Sequence, residues 1–434
     1  MPLATRNGLA WDDSGLETVP VWTREPNLDA ILNVCREKVQ ANSVSFFAEG
    51  AFNKLYLAQT NGRSFLFRVL LPVHPQSKTR GEVTTLRFLR RETDIPVPEV
   101  VAFDDSGDNE IGFEWILMEL MPGVSLYKKW RSLNAFQKVA LVQRIAEFQA
   151  QIFRHTFSGI GTLIMTDETE RQKPQPGPLV SGMFFAGFHF DLDIPRGVFR
   201  SSHDWLSAYL EIAIADHTTA KEEAEDEEDE EDAEFALNIT HRLISLLPKV
   251  FHPLQSPPER SVIWHQDLSL SNILINEQGE ITAVIDWECV SAMPLWMATQ
   301  TPKFLNGSTR DKEPKRATYG DENATIVAPL KDGKEEEEDE LDNEGKNELY
   351  WIHLMEYETT QLRQSYNASM RQLYPGWDNL VEDSAFKQDF AGAVFRCAFG
   401  FHLKRISQWI DAIERGEFPR LLDVLQGPKI NMRS

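Results

Sequence analysis

The sequence predicts an α+β fold of two lobes, in which a small antiparallel-sheet lobe precedes a mainly helical lobe. Two observations predict it: strand-like apolar runs separated by turn residues come first, and apolar residues at three- and four-residue steps follow. With 434 residues, of which 42% are hydrophobic, the chain can bury the cores of two lobes. We expect an N-terminal tail over residues 1–19, the sheet lobe over 20–122 and the helical lobe over 123–434.

Three antiparallel strands are predicted near the start of the sheet lobe. Residues 46–57 have the pattern of a strand, a tight turn at Gly50 and a second strand. The dipeptide Asn61-Gly62 is a hairpin signal, and it separates the second strand from a third one over residues 64–71. The third strand is apolar except for Ser64 and Arg68, so Arg68 is a charged side chain within a predicted sheet.

A helix is predicted next, over Lys78–Arg91, because its apolar residues recur at helical spacing. On this helix Glu82 could face Arg68 of the preceding strand and form an ion pair with it. Lys78 lies four residues before Glu82 on the same helical face, so it is an alternative partner for that carboxylate.

Two further strands, over residues 95–104 and 113–123, complete the predicted sheet lobe, and the second runs into a Pro-Gly break at the junction of the lobes. Beyond the junction the apolar periodicity predicts long helices over residues 134–153, 349–373 and 386–413.

The stretch 262–288 carries the clearest chemical signal. Apolar runs predict a strand, a loop and a hairpin, with His265 and Asp267 in the loop, Asn272 at its end and Asp286 at the end of the hairpin. Phosphoryl transfer uses one carboxylate to orient the attacking hydroxyl and two oxygen ligands to hold magnesium. This spacing therefore predicts a phosphotransferase, with Asp267 as the catalytic group and with Asn272 and Asp286 as the metal ligands.

The H-x-D-x-x-x-x-N spacing and the sequence Ile-Asp-Trp-Glu at 285–288 resemble the aminoglycoside phosphotransferase and choline kinase-like family, in particular its fungal phosphotransferase enzyme branch. The resemblance implies a protein-kinase-like fold, with ATP between the lobes and Mg²⁺ on its phosphates. It further implies a phosphate-covering loop, a basic residue on the third strand with its ion-pair partner, and a stretch at the lobe junction that contacts adenine. The residues that it assigns to these roles are Gly50, Asn53, Arg68, Glu82, Glu119 and Met121.

The chain departs from the family pattern at several points. Arg68 stands where most kinases have Lys, and Lys78 could reach the phosphates in its place. Trp287-Glu288 replaces the Phe-Gly of protein kinases, which fits the small-molecule branch; Glu288 could support the metal or bind it. Residues 291–299 stand in place of the G-D-P-x-x-D segment that braces the catalytic loop in the family. His265 is expected to support the loop and not to take part in the reaction.

Charge is distributed unevenly along the chain. Residues 222–234 contain 11 acidic residues and residues 335–344 contain 8, neither block contains Lys or Arg, and the formal net charge is -23. Because such blocks repel themselves and bury little apolar surface, we predict disordered, solvated inserts at 221–234 and 331–346. The alternative is that one block attracts cationic substrates towards the cleft.

Composition excludes several other classes of protein. There is no apolar run long enough for a membrane span, and the three cysteines are too few and too widely spaced for a disulfide framework or a zinc site. The start of the chain lacks an apolar leader, which predicts a cytoplasmic protein. The acidic balance disfavours nucleic acid as a partner.

We therefore expect an ATP- and Mg²⁺-dependent phosphotransferase that acts on a hydroxyl of a small molecule, such as an aminoglycoside-, choline- or sugar-like metabolite. The alternative is a nucleotide-binding pseudokinase or scaffold with weak or no catalysis. The sequence predicts neither the acceptor nor the oligomeric state.

Overall fold

The computed structural model of the protein describes residues 6–14, 18–165, 172–253, 256–319 and 347–427. It confirms the α+β arrangement of a small sheet lobe followed by a mainly helical lobe. Within the described residues, no helix combines the length and the apolar character that a membrane span requires.

The first lobe contains a five-stranded antiparallel sheet with the strand order β3-β4-β5-β7-β6, preceded by a separate two-stranded hairpin, β1-β2. Its strands are β1 (Leu9–Asp12), β2 (Val19–Trp22), β3 (Ser43–Gly50), β4 (Asn53–Gln59), β5 (Ser64–Leu70), β6 (Val100–Asp104) and β7 (Glu114–Glu119). Its helices are α1 (Leu28–Val39) and α2 (Ser77–Glu92).

Two boundaries in this lobe differ from the expected ones. Residues 9–12, which we expected in a tail, pair with β2, so ordered structure begins before residue 20. The strand expected from residue 95 begins only at Val100. The reason is that Pro96 and Pro98 lack the backbone N–H that a strand needs for pairing.

Side-chain alternation along β5 explains where Arg68 points. Phe67 and Val69 are buried in the core that packs against α1, whereas Leu70 lies with Val83 of α2 in a smaller apolar cluster on the opposite face. Because successive residues of a strand face opposite sides, Arg68 shares the face of Leu70 and points towards α2.

The second lobe is mainly helical, with short strands around the predicted catalytic loop. Its α-helices are α3 (Leu126–Lys129), α4 (Ala135–Phe153), α5 (Gly182–Phe185), α6 (Ser202–Glu222), α7 (Glu227–Val250), α8 (Leu295–Ala298), α9 (Glu348–Leu373), α10 (Trp377–Ala398), α11 (Leu403–Glu414) and α12 (Leu421–Gln426). Its strands are β8 (Val124–Ser125), β9 (Phe157–Ser158), β10 (Leu163–Ile164), β11 (Gln175–Pro176), β12 (Arg260–Trp264), β13 (Ile273–Ile275), β14 (Ile281–Val284) and β15 (Ser291–Pro294). Short 3-10 turns cover Trp130–Ser132, Gly187–Asp191, Leu270–Asn272, Lys303–Leu305 and Arg316–Thr318.

Two large apolar cores hold this lobe together. One joins α4 and α9 to the strands on either side of the predicted catalytic loop, and the other joins α6, α7, α10 and α11. The region over residues 386–413, which we expected as one helical pattern, is divided between α10 and α11. The chain reverses at Gly400, whose φ of 71° is favourable for glycine.

The first acidic block forms the end of α6, a short turn over residues 223–226 and the start of α7, contrary to the disorder expected for residues 221–234. The Asp226 side chain caps α7 by accepting a hydrogen bond from the Asp229 backbone N–H at 2.9 Å, and Lys221 Nζ lies 3.2 Å from Glu234 Oε2. Acidic residues in the first turn of a helix are stabilised by the helix dipole, an effect that composition alone does not express. The block is largely exposed, as expected. The second predicted insert, 331–346, lies outside the described residues.

Candidate active site

The loop between β12 and β13 brings Asp267 and Asn272 together. The Asn272 side-chain N–H group donates to the Asp267 backbone oxygen at 2.8 Å and to Asp267 Oδ2 at 3.2 Å. These contacts occupy the amide nitrogen of Asn272. Its amide oxygen is therefore the atom that can serve a cation.

Asp286 is held beside this loop by the backbone around it. The Ile285 N–H donates to the Asn272 backbone oxygen at 2.9 Å, and His265 Nε2 donates to the Ile285 oxygen at 3.0 Å. Asp286 itself has a φ of 65°, which turns the chain sharply after β14. Burial lowers the pKa of His265 and favours the neutral ring. The role of this histidine as a support of the loop stays a prediction.

Arg68 contacts one carboxylate within its own lobe and one across the interface of the lobes. Its Nη1 donates to Glu82 of α2, and its Nη2 lies 3.4 Å from Asp286 Oδ1. The ion pair with Glu82 is the one that the sequence predicted. Its second contact places a guanidinium directly beside a candidate metal ligand.

Lys78 lies in a separate buried triad with Asn53 and Glu288. Its Nζ is 2.6 Å from Glu288 Oε2 and 3.3 Å from Asn53 Oδ1, and Asn53 Nδ2 donates to Glu288 Oε2 at 2.8 Å. Lys78 thus pairs with Glu288, not with Glu82. Asn53, which we expected in the phosphate-covering loop, has its side chain in this triad. The ion pair between Lys78 and Glu288 was not predicted from the sequence.

Burial and ion pairing together set the charge of the cluster. Burial, and secondly the charge of Glu288, raises the pKa of Asp286, while burial raises that of Glu82. Burial works against ionisation of Glu288, but Lys78 and Arg68 outweigh it and lower its pKa to about 2. Burial also disfavours the charged forms of Arg68 and Lys78. Glu82 outweighs this effect at Arg68, and Glu288 outweighs it at Lys78, so the pKa of each cation is raised. The site therefore holds two cations within a carboxylate-rich cleft.

The remaining candidates are Gly50 in the predicted phosphate loop and Glu119 and Met121 at the lobe junction. Gly50 pairs with Asn53 across the β3-β4 turn, yet an added Cβ at Gly50 would meet no atom within 4 Å, so packing does not explain the glycine. The Glu119 N–H donates to the Glu99 oxygen at 2.9 Å. Within the described part of the chain, the Met121 backbone makes no hydrogen bond, which leaves it open to a ligand.

Lys303 is a site residue that sequence reasoning missed. It begins a 3-10 turn anchored by the Phe304 N–H, which donates to the Leu268 oxygen at 3.1 Å. This places Lys303 Nζ 2.5 Å from Asp267 Oδ1. Both oxygens of the Asp267 carboxylate are thus held, one by Lys303 and the other by Asn272. No local motif marks this lysine, because the contact depends on where a distant segment folds back.

The donor set fits a hard cation bound partly by its substrate. The described residues contain no group of three or more His, Cys, Asp and Glu side chains placed to hold a metal ion. Asp286 and the amide oxygen of Asn272 are oxygen ligands of the type that Mg²⁺ prefers, and Mg²⁺ commonly completes its shell with water and phosphate oxygens. The residues therefore fit magnesium brought with a nucleotide.

A cavity of about 690 Å³ opens beside Asp267, between the predicted catalytic loop and helices α10 and α12. A smaller cavity of about 240 Å³ adjoins it and shares part of its wall. The residues common to both walls are Trp264, Gln266, Met297 and Phe395.

Fungal proteins are among the relatives of this chain. A subtelomeric hrmA-associated cluster protein of Aspergillus fumigatus is 30% identical over 307 residues, which is 61% of this chain and 60% of the relative. The altered inheritance of mitochondria protein 9, mitochondrial, of Eremothecium gossypii is 25% identical over 320 residues, which is 62% of this chain and 51% of the relative. The chain thus spans less than two thirds of the length of these relatives.

Two solved aminoglycoside phosphotransferase structures also align with this chain. The gentamicin-APH(2")-IIa complex aligns with a TM-score of 0.45 at 12% identity and covers 93% of this chain and 97% of its own. Aminoglycoside phosphotransferase APH(4)-Ia aligns with a TM-score of 0.42 at 17% identity and covers 90% and 99%. Residues 43–297, more than half of the chain, match the pattern of the phosphotransferase enzyme family. The chain therefore belongs to the phosphotransferase enzyme family.

Proposed function

We propose that this protein transfers the γ-phosphate of ATP to a hydroxyl group of a small molecule, with Mg²⁺ bound at the phosphates. The observation that supports this most strongly is the single cluster formed by Asp267, Asn272 and Asp286, with Arg68 reaching Asp286 from the other lobe. These are the groups that phosphoryl transfer needs, and they lie where the two lobes meet.

Each residue of the cluster has a distinct task. Asp267 orients the acceptor hydroxyl and accepts its proton; each carboxylate oxygen has a second lone pair free, although Lys303 and Asn272 already donate to them. Asn272 and Asp286 would hold Mg²⁺, which would neutralise negative charge on the nucleotide phosphates. Most of the rate enhancement would then come from positioning and from charge neutralisation.

The cations of the first lobe would bind the nucleotide phosphates. Arg68 uses one N–H of Nη1 for Glu82 and one of Nη2 for Asp286, so each Nη keeps a second N–H that can donate to an anionic ligand. Its fork can contact two phosphate oxygens. Lys78, which contacts Glu288 and Asn53, would add a second positive charge near the phosphates. The adenine ring would contact the backbone of Met121.

Magnesium dependence of ATP binding tests this proposal. ATP affinity is measured by calorimetry across a magnesium titration for the parental protein, for Asp286→Asn and for Asp383→Asn, an exposed control on α10. We expect magnesium to strengthen ATP binding in the parent and in the control, but much less in Asp286→Asn. Equal affinities in all three proteins at every magnesium concentration would remove Asp286 from the metal site.

A second candidate function, nucleotide binding without turnover, is favoured by two contacts. Arg68 occupies one side of Asp286, and Lys303 occupies one oxygen of Asp267, so each key carboxylate already has a cation. Under this alternative the protein binds ATP with little need for magnesium, and a phosphate-transfer screen over small hydroxyl compounds yields no product. Phosphate transfer to any acceptor, if it is lost on substitution of Asp267, would exclude this alternative.

A further inference from the structure

The cavity beside Asp267 is the space from which an acceptor hydroxyl would approach the catalytic carboxylate. Its wall combines the catalytic loop with α10 and α12, and it continues into the smaller cavity behind Trp264 and Gln266. An acceptor that reaches Asp267 from this side is surrounded by these walls. Their charge and polarity therefore determine which acceptors bind.

The carboxylates in the wall of the larger cavity are already engaged. Asp389 binds Arg420 through two contacts, Nε to Oδ2 at 2.6 Å and Nη2 to Oδ1 at 3.2 Å, and it also accepts from the Leu421 N–H at 3.1 Å. Asp267 is held by Lys303 at 2.5 Å. Neither carboxylate is left to balance the charge of a cationic ligand.

One cation in the same wall has no such partner. Arg396 lies on α10, and its Nη1 donates to the Gly392 backbone oxygen at 3.0 Å. Within the described ranges no carboxylate forms an ion pair with Arg396, whereas the other two cations of the wall, Lys303 and Arg420, are paired with Asp267 and Asp389. The wall thus has more positive than negative side chains.

The rest of the lining is apolar and aromatic. Phe395, Leu421 and Leu425 line the larger cavity together with Trp264. The smaller cavity is lined by aromatic and thioether side chains, among them Trp205, Tyr209, Met293 and Phe399. Such a lining favours an acceptor with an apolar body, which is desolvated without loss of hydrogen bonds.

From this arrangement we propose that the cavity takes a hydroxyl compound with an apolar body and with either no charge or a negative charge, and that Arg396 selects for the negative charge. The inference rests on the proposed function only in assigning the cavity to the acceptor. A polyamine-like or quaternary ammonium acceptor meets like charge from Arg396 and finds no free carboxylate.

Equilibrium binding of three matched alcohols to the full chain tests the inference without requiring turnover. The probes are 2-phenylethanol, 4-(2-hydroxyethyl)benzoate and 4-(2-hydroxyethyl)benzylamine, which share an aromatic body and a hydroxyl and differ in charge. Measured by calorimetry at low salt and without nucleotide, the carboxylate is expected to bind about tenfold more tightly than the ammonium, with the neutral alcohol between them. Binding of the ammonium as tightly as the carboxylate, or no binding of any probe, overturns the inference.

Variants at Arg396 separate its charge from its packing. Arg396→Gln should reduce the affinity for the carboxylate probe about tenfold, to near that for the neutral probe, and Arg396→Lys should retain most of the preference. Lys404→Gln, which removes the same charge from an exposed position on α11, should leave all three affinities unchanged. Equal effects of Arg396→Gln and Lys404→Gln would also overturn the role of Arg396. Because no ATP is present, these outcomes are distinct from a failure of MgATP binding, which would overturn the proposed function instead.

Discussion

Removal of the Arg68 guanidinium is expected to affect both stability and nucleotide binding. The side chain of Arg68 is 12% exposed and that of Glu82 is 2% exposed, and Glu82 Oε2 has no hydrogen-bond partner among the described residues. In Arg68→Ala the Glu82 carboxylate would therefore remain buried between β5 and α2 without an ion-pair partner, with only the weaker influence of Lys78 left to oppose burial.

The stability cost follows from that unpaired carboxylate. Breaking a buried ion pair by removing one partner costs about 3–5 kcal/mol. Burial raises the pKa of Glu82 in the parent, and without Arg68 the pKa rises further, since the guanidinium opposes the effect of burial more strongly than Lys78 does. A carboxyl whose pKa is higher in the folded state loses stability as the pH rises above its unfolded value. The destabilisation of Arg68→Ala should therefore be larger at alkaline than at acidic pH.

The effect on binding follows from the lost phosphate contact. A charge-assisted hydrogen bond contributes about 1.5–3 kcal/mol, so Arg68→Ala should weaken ATP binding by roughly ten- to a hundredfold. Adenosine has no phosphates and should bind with nearly parental affinity. Arg68→Lys should recover part of the ATP affinity, because it restores the charge but not the fork.

Urea unfolding at two pH values, combined with calorimetry of ATP and adenosine, measures these effects. The matched variants are Arg68→Ala, Glu82→Gln, the double variant and Lys78→Ala. The double variant should lose less stability than the sum of the single ones, because the neutral amide that replaces the Glu82 carboxylate no longer needs the cation. If Arg68→Ala unfolds like the parent and binds ATP normally while Lys78→Ala does not, the phosphate ligand is Lys78 and the reasoning is wrong.

Two further predictions concern the first lobe. Gly50→Ala should leave the free energy of unfolding within about 0.5 kcal/mol of the parent, since a Cβ there meets nothing, but should weaken ATP binding if phosphates pack on the turn. Gly62→Ala, at a turn with equal space, is the control, and a similar loss of ATP affinity in both would contradict a phosphate contact at Gly50. Burial raises the pKa of Glu114 to about 7, although Thr79 and the Gln76 N–H donate to it. Stability should therefore fall by on the order of 3 kcal/mol as the pH rises from about 4.5 to about 7, a decline absent from Glu114→Gln in urea unfolding; parallel pH curves would refute it.

Local spacing explains why much of the site could be predicted from the sequence. Asp267, Asn272 and Asp286 lie within one strand, loop and hairpin, so their proximity follows from short connections. The pair of Arg68 and Glu82 follows from strand alternation and from the helix that immediately follows the strand.

Contacts between distant segments could not be predicted in this way. The partner of Lys78 depends on how the first lobe closes against the turn after β14, and the position of Lys303 depends on a 3-10 turn packing under the catalytic loop. Neither arrangement leaves a periodic or spaced pattern. The acidic segment 222–234 was misjudged for a related reason, because capping by Asp226 and packing of the later part of α7 on α6 outweigh its composition.

Turnover of Asp267→Asn tests the central claim most directly. The substitution keeps the shape of the side chain and the neighbouring Asn272 and Asp286. It removes the negative charge that would take up the proton of the substrate hydroxyl. Formation of ADP, measured with MgATP and an acceptor that the parental protein phosphorylates, should fall by a factor of about 10²–10⁴, while MgATP affinity stays near the parental value. Phosphorylation of the acceptor by Asp267→Asn at the parental rate would contradict the account.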